Sequence, residues 1–243
     1  MKFGKLPARL DHRTLKFADY RSTLLPQARP AASTLYRFNS AMNVTDANYS
    51  TLFPMDGNDA IGDCTCAAQA HLITLWNGII GKTVIPAAVD VVANYRKLTG
   101  GPDTGLDCLT VLQDWRNNGL DGHKITAYMS IDTSDRSQVQ QAVDLFGAVY
   151  TGFVCQENTL TDFRAGTPWT SGPTINEGHC VAVTSYSEQY VRVLTWGSTQ
   201  LGTWDWFEKM VDECYVILPP EAQSAQFAPG FDYDQLKSDL AAL

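Results

Sequence analysis

The sequence predicts an α+β protein in which helices come first and an antiparallel sheet follows. Segments with apolar residues at helical spacing dominate the first half, at 63–80, 86–98 and 108–116. β-rich apolar runs dominate the second, at 148–154, 180–186 and 190–196. Runs of helix followed by runs of strand, without strict alternation, describe α+β packing rather than a doubly wound sheet. At 243 residues the chain can bury a large core. The expected organisation is an extended arm at 1–35, one main domain at 36–220, and a tail at 221–243 carrying a weak helix.

The arm combines polar segments with Leu25-Pro26-Gln27-Ala28-Arg29-Pro30, too rich in proline for a helix interior. It is expected to be extended and held by the domain or by another chain, which would make a homo-oligomer. Residues 36–55 read as irregular and extended. From 63 to 80, Ala67, Ala68, Leu72, Leu75, Trp76 and Ile79 recur on one helical face. Gly62 breaks the chain before them, and Asp63 is placed to cap the first turn. Cys64 therefore stands at a helix N-terminus, where unpaired N–H groups and the positive dipole end favour a thiolate. Such a cysteine is either a nucleophile or a small apolar residue packed under a helix start.

Gly81 stops this helix and Pro86 opens a second. Leu109, Leu112 and Trp115 share one face of a third, closed by Asn117-Asn118-Gly119. Residues 124–131 alternate as a strand, 137–146 read as a fourth helix, and 148–154 as a central strand. A long loop is expected at 156–177, and connections of that length are usually functional. Strands at 180–186 and 190–196, a short helix at 204–212, and a closing strand at 215–218 complete the domain, with Pro219-Pro220 ending it. Trp76, Leu112, Val149, Val181 and Val183 are the expected core.

Net charge is −8 and no basic run exists, which argues against nucleic acid or anionic membrane as partner. No apolar run has the length of a membrane span, and Met1 to Pro7 lack the apolar core of a secretion signal. The expected location is cytoplasmic or virion-associated. The six cysteines, at 64, 66, 108, 155, 180 and 214, are scattered, so no disulfide framework is expected. Cys64, Cys66 and His71 match no common zinc spacing, and neither metal nor cofactor is expected.

Of the four histidines, His12 lies in the arm, His71 mid-helix in the core, and His123 after an Asp-Gly turn, expected exposed. His179 differs: Gly178 precedes it and the apolar run Cys180-Val181-Ala182-Val183 follows. A histidine at the mouth of a strand can face a nucleophile. It can equally be a strand-edge residue with a satisfied ring.

The two segments together resemble the papain-like cysteine peptidases. Gly62-Asp63-Cys64-Thr65-Cys66-Ala67 is similar to the family's Gly-Ser-Cys-Trp-Ala-Phe, and Gly178-His179-Cys180-Val181-Ala182-Val183 to the strand that begins at the catalytic histidine. Val193-Leu194-Thr195-Trp196-Gly197 resembles the segment ending Asn-Ser-Trp-Gly. Asn117-Asn118-Gly119-Leu120-Asp121 and the run from Ala142 to Val149 resemble segments between, so the likeness spans roughly 56–218 in order. It implies a papain-like fold, a helical half carrying the nucleophile helix against a β half, and a cysteine peptidase acting on peptide or protein substrates.

By the same resemblance Cys64 is the nucleophile and His179 the base and then the acid. Asn58, six residues before Cys64, stands where the family carries its oxyanion-hole glutamine, and Trp196 shields the site. The departures are specific. Leu194 occupies the place of the histidine-orienting asparagine, and Thr195, next to it, would point to the opposite sheet face unless a bulge turns it. Asn58 is one methylene shorter than glutamine. A thiol hydrolase, with the N-terminal arm covering the cleft as a pro-segment does, is therefore the first reading. A papain-fold binding or scaffold protein without catalysis, such as a phage or bacterial assembly component, is the second.

Overall fold

A computed structural model describes residues 1–21, 49–220 and 231–242. Within them the elements run α1 (Tyr49–Leu52), α2 (Cys64–Ile79), α3 (Ala88–Thr99), α4 (Cys108–Asn117), β1 (Ala127–Ser130), α5 (Arg136–Phe146), β2 (Val149–Gln156) and α6 (Thr159–Ala165). The second half continues with β3 (Thr174–Tyr186), β4 (Tyr190–Thr195), β5 (Ser198–Thr203), α7 (Trp204–Met210), β6 (Val211–Leu218) and α8 (Tyr233–Ala242). This is the expected α+β order. The sheet is antiparallel throughout, in the order β1-β6-β2-β3-β4-β5.

Both faces of the sheet are covered, and the alternation of its strands divides the core in two. Tyr150, Cys180, Ala182, Leu194, Tyr215 and Ile217 face α2, α3 and α4. Val149, Phe153, Val181, Val183, Val193 and Val216 face α5, α7 and α8. The period-2 placement of Cβ atoms makes this division. The sequence predicts one buried face for α2, but every residue from Cys64 to Gly78 is buried. The helix lies between the sheet and α3 and α4, so no side is left for water. Trp76, Leu112, Val149, Val181 and Val183 are all buried, at 1% exposure or less.

Several expectations change. The stretch 156–177 is no loop: α6 and the start of β3 lie within it. Trp169 anchors the rest, fully buried, its indole N–H donating to Thr159 O at 2.9 Å. Its backbone pairs with β5, receiving from Thr203 N and donating to Leu201 O. β5 itself (Ser-Thr-Gln-Leu-Gly-Thr) escaped sequence reading because an edge strand needs little apolar alternation. Asp63 does not cap α2 through its side chain. Residues 49–52 are helical rather than extended, while 36–48 and the 35/36 boundary lie outside the described residues. His123 is half-buried rather than exposed. Among the described residues no helix is long and apolar enough to cross a membrane.

The described arm follows the domain. Residues 1–6 cross from the α2 N-terminus to α4, and Phe17 and Tyr20 enter the core with Phe146 and Phe231. There the arm meets the tail: Arg21 pairs with Phe231, and Tyr20 Oη–H donates to Asp239 at 2.7 Å.

Candidate active site

Three neighbouring pieces of backbone converge on one point. The start of α2 supplies Cys64, β3 supplies His179, and the β4–β5 hairpin supplies Thr195 and Trp196. With Asn58 from the preceding loop they line a small cavity of about 10 Å³, room for roughly one water. Cys64 and His179 are each only 1% exposed.

His179 is held on three sides. Its Nε2 lies 2.7 Å from Thr195 Oγ1. Trp196 stacks on the ring at 4.2 Å and 21°, and Phe153 meets it edge-on at 5.7 Å. Nδ1 has no hydrogen-bond partner. A neutral ring with Nε2–H donating to the Thr195 hydroxyl leaves Nδ1 basic, the tautomer a general base requires.

Thr195 reaches His179 because of one irregularity. Near the β3–β4 turn the pairs are Tyr186 with Val191 and Ser185 with Arg192. The register then shifts by one residue, so Val183 pairs with Val193 and Ala182 with Leu194. Unshifted pairing would set Thr195 opposite Ala182 on the helical face and leave Leu194 on the His179 face. The bulge at Thr184 exchanges them, as bulges re-aim side chains. The regular-strand expectation that Thr195 points away is thereby corrected. Leu194 packs among the α2-side residues, and the orienting contact moves one position along the chain.

Trp196 and Gly197 form the two-residue hairpin loop with φ of 46° and 69°. Positive φ at both central positions is the type I′ pattern that fits the twist of the flanking strands. For tryptophan this conformation is strained, and such strain concentrates at functional sites.

Asn58 does not present a free amide. Its Nδ2 donates to Lys2 O and to Ile61 O, both at 3.1 Å. The amide is engaged by the arm, the segment that the hydrolase reading of the sequence places over the cleft. Gly4 N and Lys5 N both donate to Gly178 O, at 3.1 and 3.0 Å. Leu6 N donates to Leu106 O, and Leu106 N returns to Gly4 O. Phe3 lies 5.9 Å from the His179 ring and 6.0 Å from Trp196. Gly4 passes so close to Gly62 that a Cβ there would stand 1.9 Å from Gly62 O. The N-terminal hexapeptide thus runs over the α2 N-terminus and the head of the His179 segment.

Burial sets the protonation states beneath it. The Cys64 thiol is pushed well up, by desolvation first and by Cys180 next. Desolvation, aided by His71, pulls His179 down to about 3. Both groups are therefore neutral at pH 7 with the arm in place, in contrast to the thiolate expected from the helix N-terminus alone. The dipole favours the anion by up to ~2 kcal/mol, and loss of water outweighs it. Asp63, beside the thiol, is raised by burial to about 8. His71 lines the same cavity, its Nε2 at 2.7 Å from Pro54 O and 3.3 Å from Asp56 Oδ2. All six cysteines are free and buried, Cys108 and Cys180 with sulfurs 3.8 Å apart. Among the described residues no cluster of three or more His, Cys, Asp or Glu could hold a metal ion.

No protein-family model and no curated protein sequence matches the chain. Solved structures do. Xylellain, a cysteine protease from Xylella fastidiosa, is similar with a TM-score of 0.61 at 16% identity, over 89% of this chain and 95% of that one. Procathepsin B S9 from Trypanosoma congolense is similar at 0.53 and 11%, over 89% and 83%. The cysteine protease and lectin-like domains of Cwp84, a surface layer associated protein of Clostridium difficile, are similar at 0.57 and 11%. There the match covers 90% of this chain but 57% of that longer one. With the helical half, the sheet and the converging Cys64 and His179, these likenesses establish that the chain has the papain-like fold.

Proposed function

We propose that the protein is a papain-like thiol hydrolase cleaving peptide or amide bonds, kept at rest by its own residues 1–6. The observation that carries the reading is the His179–Thr195 contact at 2.7 Å, which restores an orienting partner the sequence seemed to lack. The convergence with Cys64 at a helix start supplies the other half.

Release of the arm admits water to Cys64 and His179, and desolvation no longer opposes their charges. Proton transfer from Sγ to Nδ1 then gives a thiolate and an imidazolium. The helix N-terminus favours the first, and Thr195 Oγ1 accepts from Nε2–H of the second. The thiolate adds to the substrate carbonyl carbon, forming the C–S bond and placing the charge on oxygen. The Cys64 backbone N–H and the Asn58 amide, freed from Lys2, are the donors for that oxygen. His179 gives its proton to the departing amine as the C–N bond breaks. Water, deprotonated by the same nitrogen, hydrolyses the thioester and regenerates the thiol. Trp196 covers the imidazole throughout.

Full-length Gly4→Val tests this, because its Cβ must collide with the Gly62 backbone and displace the arm. Hydrolysis of peptide anilides should appear in this variant and vanish on adding Cys64→Ala or His179→Ala. Arm displacement without Cys64-dependent turnover would overturn the hydrolase reading.

A further inference from the structure

The arm is fastened to the cleft by a buried charge that neither the papain-like fold nor the proposed chemistry requires. Lys5 is 4% exposed, and its Nζ lies 2.8 Å from Asp212 Oδ2, 3.1 Å from Glu213 Oε1 and 3.0 Å from Leu6 O. Burial alone would lower its pKa, but the two carboxylates, Glu213 above all, more than offset that and raise it. The aliphatic stem runs over Gly152, where a Cβ would stand 2.1 Å from Lys5 Cε. Any side chain at that position would fill the slot. The slot is thus long, narrow, floored by backbone and closed by two acids.

Its position ties it to the reacting groups. Lys5 N donates to Gly178 O, and Gly178 directly precedes His179. Glu213, 6% exposed, is held there by Tyr215 Oη–H at 2.9 Å, so the acid remains fixed without Lys5. A groove of about 660 Å³ runs beside the arm, with Asp103, Glu177 and Asp212 on its walls. Its acidic walls suit a cationic peptide.

We infer that this slot is a specificity pocket for lysine, selecting peptide substrates with a lysine within a residue or two of the bond to be cut. Lys5 is its resident occupant in the resting state. The inference rests on the hydrolase reading for its meaning, but its binding half stands independently. A long unbranched side chain passes over Gly152, and its ammonium reaches Asp212 and Glu213. A neutral side chain of the same length leaves Glu213 buried without a counter-charge, which penalises it strongly.

The test uses full-length protein carrying Gly4→Val, to open the cleft, and Cys64→Ala, to prevent turnover. Fluorescent Phe-Gly-Lys-Leu-Pro and its norleucine analogue are compared by anisotropy. The lysine peptide should bind at least tenfold more tightly, and Asp212→Asn should shrink the difference. Lys5→Met, which keeps the stem and removes the anchor, is the second route to an open cleft. Equal or tighter binding of the norleucine peptide overturns the pocket, as does absence of peptide binding in both opened variants. Hydrolysis is then measured with Cys64 intact. A lysine preference in binding without turnover would reject the hydrolase reading and leave the pocket standing.

Discussion

Removing the Lys5 ammonium should uncover Cys64 and His179, and the size of the effect follows from the group it leaves behind. In Lys5→Met the stem still fills the slot over Gly152, and Asp212, 26% exposed at its side chain, can turn to water. Glu213, 4% exposed at its side chain, cannot. Its cheapest escape in the closed state is to take up a proton. Starting from its ordinary pKa of 4.5, that costs at most about 3.4 kcal/mol at pH 7 and about 0.7 kcal/mol at pH 5. Arm release rehydrates the carboxylate and relieves the cost, so the closed-to-open equilibrium shifts by up to that amount. Iodoacetamide labelling of Cys64, buried when closed, reports the open fraction. The mutant-to-wild-type rate ratio should climb toward about 300 at pH 7 and stay near 3 at pH 5. Taking the ratio at each pH cancels the thiolate fraction. A ratio equal at both pH values, or no acceleration at pH 7, would mean that Glu213 and Lys5 do not together hold the arm.

Further consequences follow from the same contacts. Thr195→Val leaves His179 Nε2 buried without its partner, a loss of about 1–3 kcal/mol, so turnover in the Gly4→Val background should drop about tenfold to a hundredfold while Thr195→Ser retains it; steady-state kinetics decide. Asp63 keeps its proton in the folded state up to about pH 8 but not in the unfolded chain above its ordinary 3.8, so it lowers stability as pH rises through that window. Asp63→Asn should therefore gain stability over wild type from pH 4.5 to pH 8, by up to about 1.4 kcal/mol per pH unit, measured by urea unfolding. Leu112→Ala, in the fully buried α4 face, should cost about 2–5 kcal/mol in the same measurement.

The parts of the fold legible in the sequence are those whose signal is local. Apolar periodicity located α2 through α5, and β-rich runs located the central strands, because burial on one or both faces is written residue by residue. What failed was non-local. β5 has no apolar alternation, and Trp169 looked like a loop residue until its backbone paired with that strand. At the site, Cys64 and His179 were visible from a helix start and a strand mouth. Thr195 was visible only as an alternative, because its face depends on a bulge ten or so residues upstream at Thr184. The arm over the site was legible through the family resemblance alone, as the counterpart of a pro-segment, and its own composition did not show which residues would make the contact. A lysine five residues from the start reads as solvent-exposed unless the acids at 212 and 213 are known to lie beneath it. The charge states were misjudged for the same reason: a helix N-terminus argues for a thiolate, and only the covering segment shows that desolvation wins.

The proposed hydrolase requires that Cys64 and His179 become an ion pair once the arm is displaced. The direct measurement is alkylation of Cys64 by iodoacetamide against pH in full-length Gly4→Val, read by peptide mass at residues 58–82, with and without His179→Ala. The midpoint should lie well below the ordinary thiol value of about 8.5, with appreciable rate near pH 5–6, and His179→Ala should move it upward. Cys66, fully buried in α2, should remain slow in both proteins. An ordinary thiol profile at an exposed Cys64, unmoved by His179→Ala, would contradict the claim and leave a papain-like scaffold without its catalytic pair.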